Sequence, residues 1–293
     1  MRHLIHLFTL LFLIGCNQTP KKNNTAAKQD TVNKIIATLD SYPKTKVYTK
    51  EEQEIRQKEF NEEAKFDSIN LAKVLMKALN YADLNKNKSS FKFEINSDDT
   101  SFNVTTQLVF GNLFSKNKKH LLVRRLGPSS VICNIFLLKN EKFKLVAEHL
   151  QDGLTYLDDT LKDVNGDSYK DYLVHWYPSS GCCRRNVYNV FLYLPESGQF
   201  TNDYEFINPT FYPLEKVIRG VGYGYMAGLY KYKWNGLKVD TLEFVYLDTS
   251  TVDKFYITKK SDYNRPPLVK SKMVNKLPKE YEKIESLDWF LNN

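Results

Sequence analysis

Residues 131–148 read VICNIFLLKNEKFKLVAE. Val131–Leu138 is a short run rich in β-branched and aromatic side chains. A polar pair, Lys139-Asn140, interrupts it, and Lys142–Glu148 resumes an alternating pattern. Two such runs joined by a turn signal predict a β-hairpin.

Working outward, the same period of two begins at Phe91. It predicts further strands at Phe91–Asn96, Phe102–Phe110, His120–Arg125, Tyr172–Tyr177 and Val187–Leu194. Beyond these it predicts Val217–Gly222, Leu229–Trp234, Leu242–Leu247 and Lys254–Thr258, with Glu196-Ser197-Gly198 and Asn235-Gly236 as turns. Many short strands at this spacing predict a mainly β fold, an antiparallel propeller-like or sandwich domain. Leu287, Trp289, Phe290 and Leu291 predict a final turn or helix tucked onto that body. Of the 293 residues 42% are hydrophobic and 26% charged, which allows a packed core and excludes global disorder.

Ahead of the strands the period is helical. Ile69, Ala72, Leu75, Leu79 and Ala82 recur on one face, and Thr49-Lys50-Glu51-Glu52 reads as a capping box. A helix is expected from there to about Leu84, its apolar stripe packed on the following domain or binding a partner. A short helix is also expected over Thr31–Asp40, before Tyr42-Pro43.

The start, MRHLIHLFTLLFLIGC, has one basic residue and a short apolar run, too short to cross a bilayer. Leu13-Ile14-Gly15-Cys16 resembles a bacterial lipobox. That resemblance implies cleavage before Cys16, diacylglycerol on its sulfur and palmitate as a further acyl group. The alternative is an ordinary secretory leader. The expected organisation is a signal peptide at 1–15, a lipidated basic tether at 16–48, a helical segment at 49–88 and a β domain at 89–293. Net charge is +8, but residues 17–50 hold seven lysines against two aspartates. Most of the excess therefore lies beside the anchor, on anionic headgroups or in solvent, and nucleic-acid binding is not expected. Oligomeric state is left open.

The chemistry-bearing stretch is Asp163-Val164-Asn165-Gly166-Asp167-Ser168-Tyr169-Lys170-Asp171. Alternate residues of a tight loop converge, and three crowded carboxylates call for a cation. A hard cation such as Ca²⁺ takes six to eight oxygens. Asp163, Asn165, Asp167 and Asp171 would give side-chain oxygens and Tyr169 its carbonyl. Ser168 stands where such loops usually carry Gly, and Val174 where an EF-hand carries Glu, so no EF-hand is expected. The other reading is a polar Asx-rich turn.

Asp163–Asp171 with its strand-like flanks resembles the Ca²⁺ loop of VCBS/FG-GAP-type β-propeller blades. From Asp163 through Val187–Tyr193, Phe200, Asn208-Pro209 and Tyr232-Lys233-Trp234, the chain resembles another group more closely. That group is the periplasmic calcium-loop β-propeller-like proteins and lipoproteins related to immunity inhibitors of lysozyme-like antibacterial effectors. The likeness covers roughly residues 140–250. It implies a propeller-like fold, Ca²⁺ at the loop and binding of a peptidoglycan hydrolase.

With Cys16 lipidated, Cys133, Cys182 and Cys183 remain, an odd number. Either the adjacent pair bridges, or Cys133 bridges one of them. No C-x-x-C, nucleophile elbow, phosphate loop or H-E-x-x-H motif occurs. His120, His149 and His175 are expected to be half-buried or at the surface. Paired carboxylates for glycoside hydrolysis need not be close in sequence. The leading expectation is a non-enzymatic membrane-anchored envelope lipoprotein with a calcium-stabilised β domain that binds a protein, a cell-wall lytic enzyme being one candidate. A structural or glycan-contact module and a divergent hydrolase are the alternatives.

Overall fold

Thr49 accepts the Glu52 backbone N–H on its hydroxyl at 3.2 Å, and Glu52 returns the contact to the Thr49 N–H at 2.9 Å. This reciprocal cap starts α1 (Lys50–Asn85). The computed structural model describes residues 48–97, 103–127, 129–180, 185–224, 227–248, 254–259 and 272–292. The expected Thr31–Asp40 helix, the leader and Cys16 lie outside them. By its contacts the chain divides into two units, 1–59 and 60–293. The described part of the first is Tyr48 and the opening turns of α1, where the Arg56 guanidinium lies 4.2 Å over the Tyr48 ring.

The second unit is mainly β and antiparallel. The first sheet is a meander of β1 (Phe91–Asn96), β2 (Thr105–Gly111), β3 (His120–Leu126), β4 (Ser130–Lys139) and β5 (Lys142–Asp152). Asn140 and Glu141, both at positive φ, make the two-residue turn between β4 and β5.

β6 (Tyr156–Lys162), β7 (Asp171–Trp176) and β8 (Val187–Phe191) begin the second sheet. β9 (Tyr193–Leu194) and β10 (Gln199–Phe200) leave it as a small hairpin, and β11 (Tyr204–Ile207) returns to pair with β8. The third sheet is a six-stranded meander: β12 (Pro209–Tyr212), β13 (Val217–Val221), β14 (Leu229–Asn235), β15 (Lys238–Leu247), β16 (Phe255–Thr258) and β17 (Lys272–Val274). The described strands close neither a barrel nor a propeller.

Side-chain alternation decides how these sheets stack. On β3, Leu121 and Val123 join Ala78 and Ala82 of α1, whereas Leu122 points the other way, with Tyr172 and Val174 of β7. On β7, Leu173 turns away from those neighbours to meet Ile218, Tyr230 and Trp234 of the third sheet. That sheet's far face, with Val221, Leu229 and Val245, is covered by Tyr281, Ile284 and Phe290 of the C-terminal segment. Phe290 sits on α2 (Leu287–Leu291), the expected final helix. Each fully buried Leu, Ile or Val contributes about 1.5–3 kcal/mol, and both faces of all three sheets carry them.

Candidate functional site

The loop Asp163–Asp171 joins β6 to β7 and is folded by its own carboxylates. Asp163 accepts the Gly166 N–H at 2.7 Å and the Ser168 N–H at 2.9 Å. Asn165 accepts the Asp167 N–H at 3.1 Å and donates its amide to Asp167 at 3.1 Å. Asp167 also accepts the Tyr169 N–H at 2.9 Å. Gly166 sits at φ 75°, and a Cβ there would meet the Pro213 carbonyl at 2.2 Å, so the loop presses against the turn before β13. Ser168 takes φ 71°, the left-handed conformation that favours Gly. Its N–H bond to Asp163 offsets a cost of about 1–2 kcal/mol.

Asp171 is fully buried. Its two oxygens accept the Val164 N–H at 3.0 Å and the Tyr193 N–H at 3.0 Å. Burial pushes its carboxyl up to about 7, against the pull of those two amides, and Asp167 and Asp163 push in the same direction as burial. The five sequence-predicted ligands thus share one loop, and the three acids act on one another. As folded, however, their side-chain oxygens face backbone and side-chain amides, those of the loop itself and, for Asp171, also the Tyr193 N–H. Among the described residues, no three His, Cys, Asp or Glu side chains are gathered tightly enough to hold a metal. The donor set still fits a hard cation. Each carboxylate oxygen that accepts one N–H keeps a second lone pair, and Asp171 has no cationic partner among the contacts that hold it. Beside the loop lies a groove of about 600 Å³, with Lys116 and Lys118 on one side and Tyr169 and Lys170 on the other.

Sequence reading missed a second polar cluster, between the first two sheets. Arg124 of β3 forks onto Asp159 of β6 at 2.5 and 2.6 Å, and the Tyr156 hydroxyl donates to the same carboxylate at 2.5 Å. The Asp159 side chain is only 2% exposed. Burial pulls the Arg124 guanidinium down, but the hydrogen bond and charge of Asp159 outweigh it and hold the cation. No motif announces this pair; the one sign is an acid in a strand that packs on apolar neighbours.

Cys133 is a free thiol on β4, packed beside Tyr172 in the core, and burial pushes it up to about 12. It is therefore an inert core side chain. Cys182 and Cys183 lie outside the described residues. His120 corrects the expectation of a half-exposed histidine. It is fully buried, its Nε2–H donates to the Gly198 carbonyl at 2.9 Å, and the Phe114, Tyr193 and Phe200 rings surround it. His149 meets Gln151, and His175 stacks on Tyr188 at 4.3 Å. These three histidines occupy separate packing sites.

Comparison with family models, with curated proteins and with solved structures gives no match. No described helix is long and apolar enough to cross a membrane.

Proposed function

We propose that this chain is a bacterial envelope lipoprotein, anchored through lipid on Cys16. Its calcium-stabilised β body binds a protein partner and catalyses no reaction. The partner class implied by the resemblance is a cell-wall lytic enzyme, which binding would inhibit. In this reading the three meanders are blade-like units packed face to face, as propeller blades pack, in an open stack.

The observation that carries the reading is Asp171. A carboxylate pushed up by its burial and, to a lesser extent, by two neighbouring acids, and held by two amides, is a site lacking a counter-charge, and Ca²⁺ supplies one. Ser168 in the left-handed conformation supports it, because that is the geometry the usual Gly provides. The test is a thermal melt in chelator and in millimolar Ca²⁺. At a hundred times its dissociation constant, Ca²⁺ adds about 2.7 kcal/mol, a shift of several degrees. The double variant Asp163→Ala/Asp167→Ala should lose the shift. An unshifted wild type makes the loop a polar turn only. Cys16→Ser should move the protein to the soluble envelope fraction, and a mutant that stays membrane-bound refutes the anchor.

A glycan-contact module is the second reading. The groove beside the loop favours it, since three lysines and an exposed Tyr169 ring suit an acidic sugar. A pull-down of envelope proteins with and without chelator separates the two.

A further inference from the structure

A cavity with a largely apolar lining lies at the other end of the second unit, between α1 and the first sheet. It holds about 970 Å³. Its near wall continues the stripe by which α1 packs on the sheet. Ala82, Ala78, Val74 and Leu71 are buried, and about two and three turns before Leu71 the same face carries Ala64 and Phe60. Phe60 is 65% exposed.

The floor is Ile132 of β4. Leu150 of β5 stands opposite Ile132 in the strand register, and cross-strand partners share a face, so Leu150 lies on the helix side. It is 65% exposed, and Leu154, in the turn that follows, is 87% exposed. Three large apolar side chains left in water around one groove are the mark of an interaction site rather than of scattered surface residues.

The rim is acidic. Glu63 and Asp67 stand one turn apart on α1, and Asp152 faces them from the end of β5. Asp67 accepts the Ser129 hydroxyl at 3.1 Å, and the Asp152 carboxylate the Leu154 N–H at 2.9 Å; among the described residues no cation pairs with either. The one basic residue in the lining, Arg125, is buried. It donates to the Leu71 carbonyl at 3.0 Å and to Asn134 at 2.7 Å, beneath the floor rather than at the rim.

The geometry points to this groove as the docking site for a cationic amphipathic helix of a partner protein. Apolar anchors at i, i+3 and i+4 fill the space between Phe60 and Leu154, and flanking Lys or Arg side chains meet Glu63, Asp67 and Asp152. The inference rests on the reading of the chain as a protein-binding module and names its binding surface and the chemistry of its partner.

The test is fluorescence anisotropy with a labelled peptide of about 14 residues, leucines and lysines at helical spacing, and its leucine–glutamate counterpart. The full chain binds the lysine peptide and not the glutamate peptide. Phe60→Asp and Leu154→Asp each weaken binding roughly tenfold or more. Glu63→Gln with Asp67→Asn weakens it several-fold and flattens its salt dependence. All four positions tolerate polar residues, and unchanged melts verify folding of each variant. Wild type that fails to bind, variants that bind as well as wild type, or equal binding of both peptides overturns the proposal. So does sedimentation showing a dimer that Leu154→Asp dissolves, because the occupant is then a second copy. The calcium-dependent melt persists in the Phe60 and Leu154 variants. Its absence in wild type that still binds the lysine peptide overturns the calcium reading alone.

Discussion

Asp159 and Asp171 are two buried carboxylates on the two strands of one β6–β7 hairpin, and the protein treats them differently. Asp159 has a full cation, the forked Arg124, plus a tyrosine hydroxyl. Asp171 has two backbone amides and, nearby, two further acids. A buried charge needs either a counter-charge or a proton. The first site carries its counter-charge in the fold. The second has no cation among its described contacts, and burial raises its carboxyl to about 7. An ion pair built into the fold locks two sheets together, while a buried carboxylate with a raised pKa makes stability answer to pH.

The largest effect expected from this contrast is at the pair. Asp159→Asn strands Arg124 in the core and should cost about 3–5 kcal/mol in urea unfolding. Replacing both partners, Arg124→Met with Asp159→Leu, should cost much less than the single change. Equal losses would show that Asp159 matters only as a packing group.

Asp171→Asn should behave oppositely. Burial already raises the Asp171 carboxyl to about 7, so losing its charge costs little near neutrality; Asn, however, offers one acceptor to the two N–H groups that Asp171 serves, so the change should cost about 1–3 kcal/mol in chelator. The same change should remove the calcium-dependent rise in melting temperature. A loss as large as that at Asp159, measured without calcium, would erase the distinction between the two sites.

Smaller still is Ser168→Gly. It relieves a left-handed non-glycine residue and should stabilise the protein by up to about 1 kcal/mol, with tighter calcium binding seen by titration calorimetry. A destabilised glycine variant would mean the serine side chain itself holds the loop.

The smallest effect is at His120, whose burial lowers its pKa from the ordinary 6.5. The unfolded chain takes a proton near that value and the folded one resists, so stability should fall as pH drops below 6.5. His120→Gln keeps a donor for the Gly198 carbonyl and should flatten that part of the stability-against-pH curve. An unchanged slope would place the acid sensitivity elsewhere.

Much of the local structure is legible in the sequence. The Thr49/Glu52 cap, the β4–β5 hairpin and the interior strands of each sheet follow from side-chain period and turn chemistry, which act over a few residues. The strands that went unread were β6, β10, β11, β12 and β17, all at sheet edges or in the β9–β10 hairpin. An edge strand is paired on one side only, so it need not carry an alternating apolar signal. β6 reads YLDDTLK, with two adjacent acids, and β12 begins at Pro209. Val187–Leu194, expected as one strand, breaks at Leu192, where β8 ends and the β9–β10 hairpin begins.

The candidate loop was legible for the same local reason: its ligands lie within nine consecutive positions, and its backbone turns are set by its own Asp, Asn and Gly residues. What the loop rests on was not. The contact of Gly166 with Pro213, the amide of Tyr193 under Asp171 and the partner of Arg124 come from residues 22 to 47 positions away, as with Asp171 and Tyr193 at 22 and Arg124 and Asp159 at 35. The sequence by itself determined which faces of each strand must leave water. Only the tertiary structure decided which face meets which, because hydrophobic burial is non-directional and the choice of partner is settled by packing and by where the few buried charges find one another.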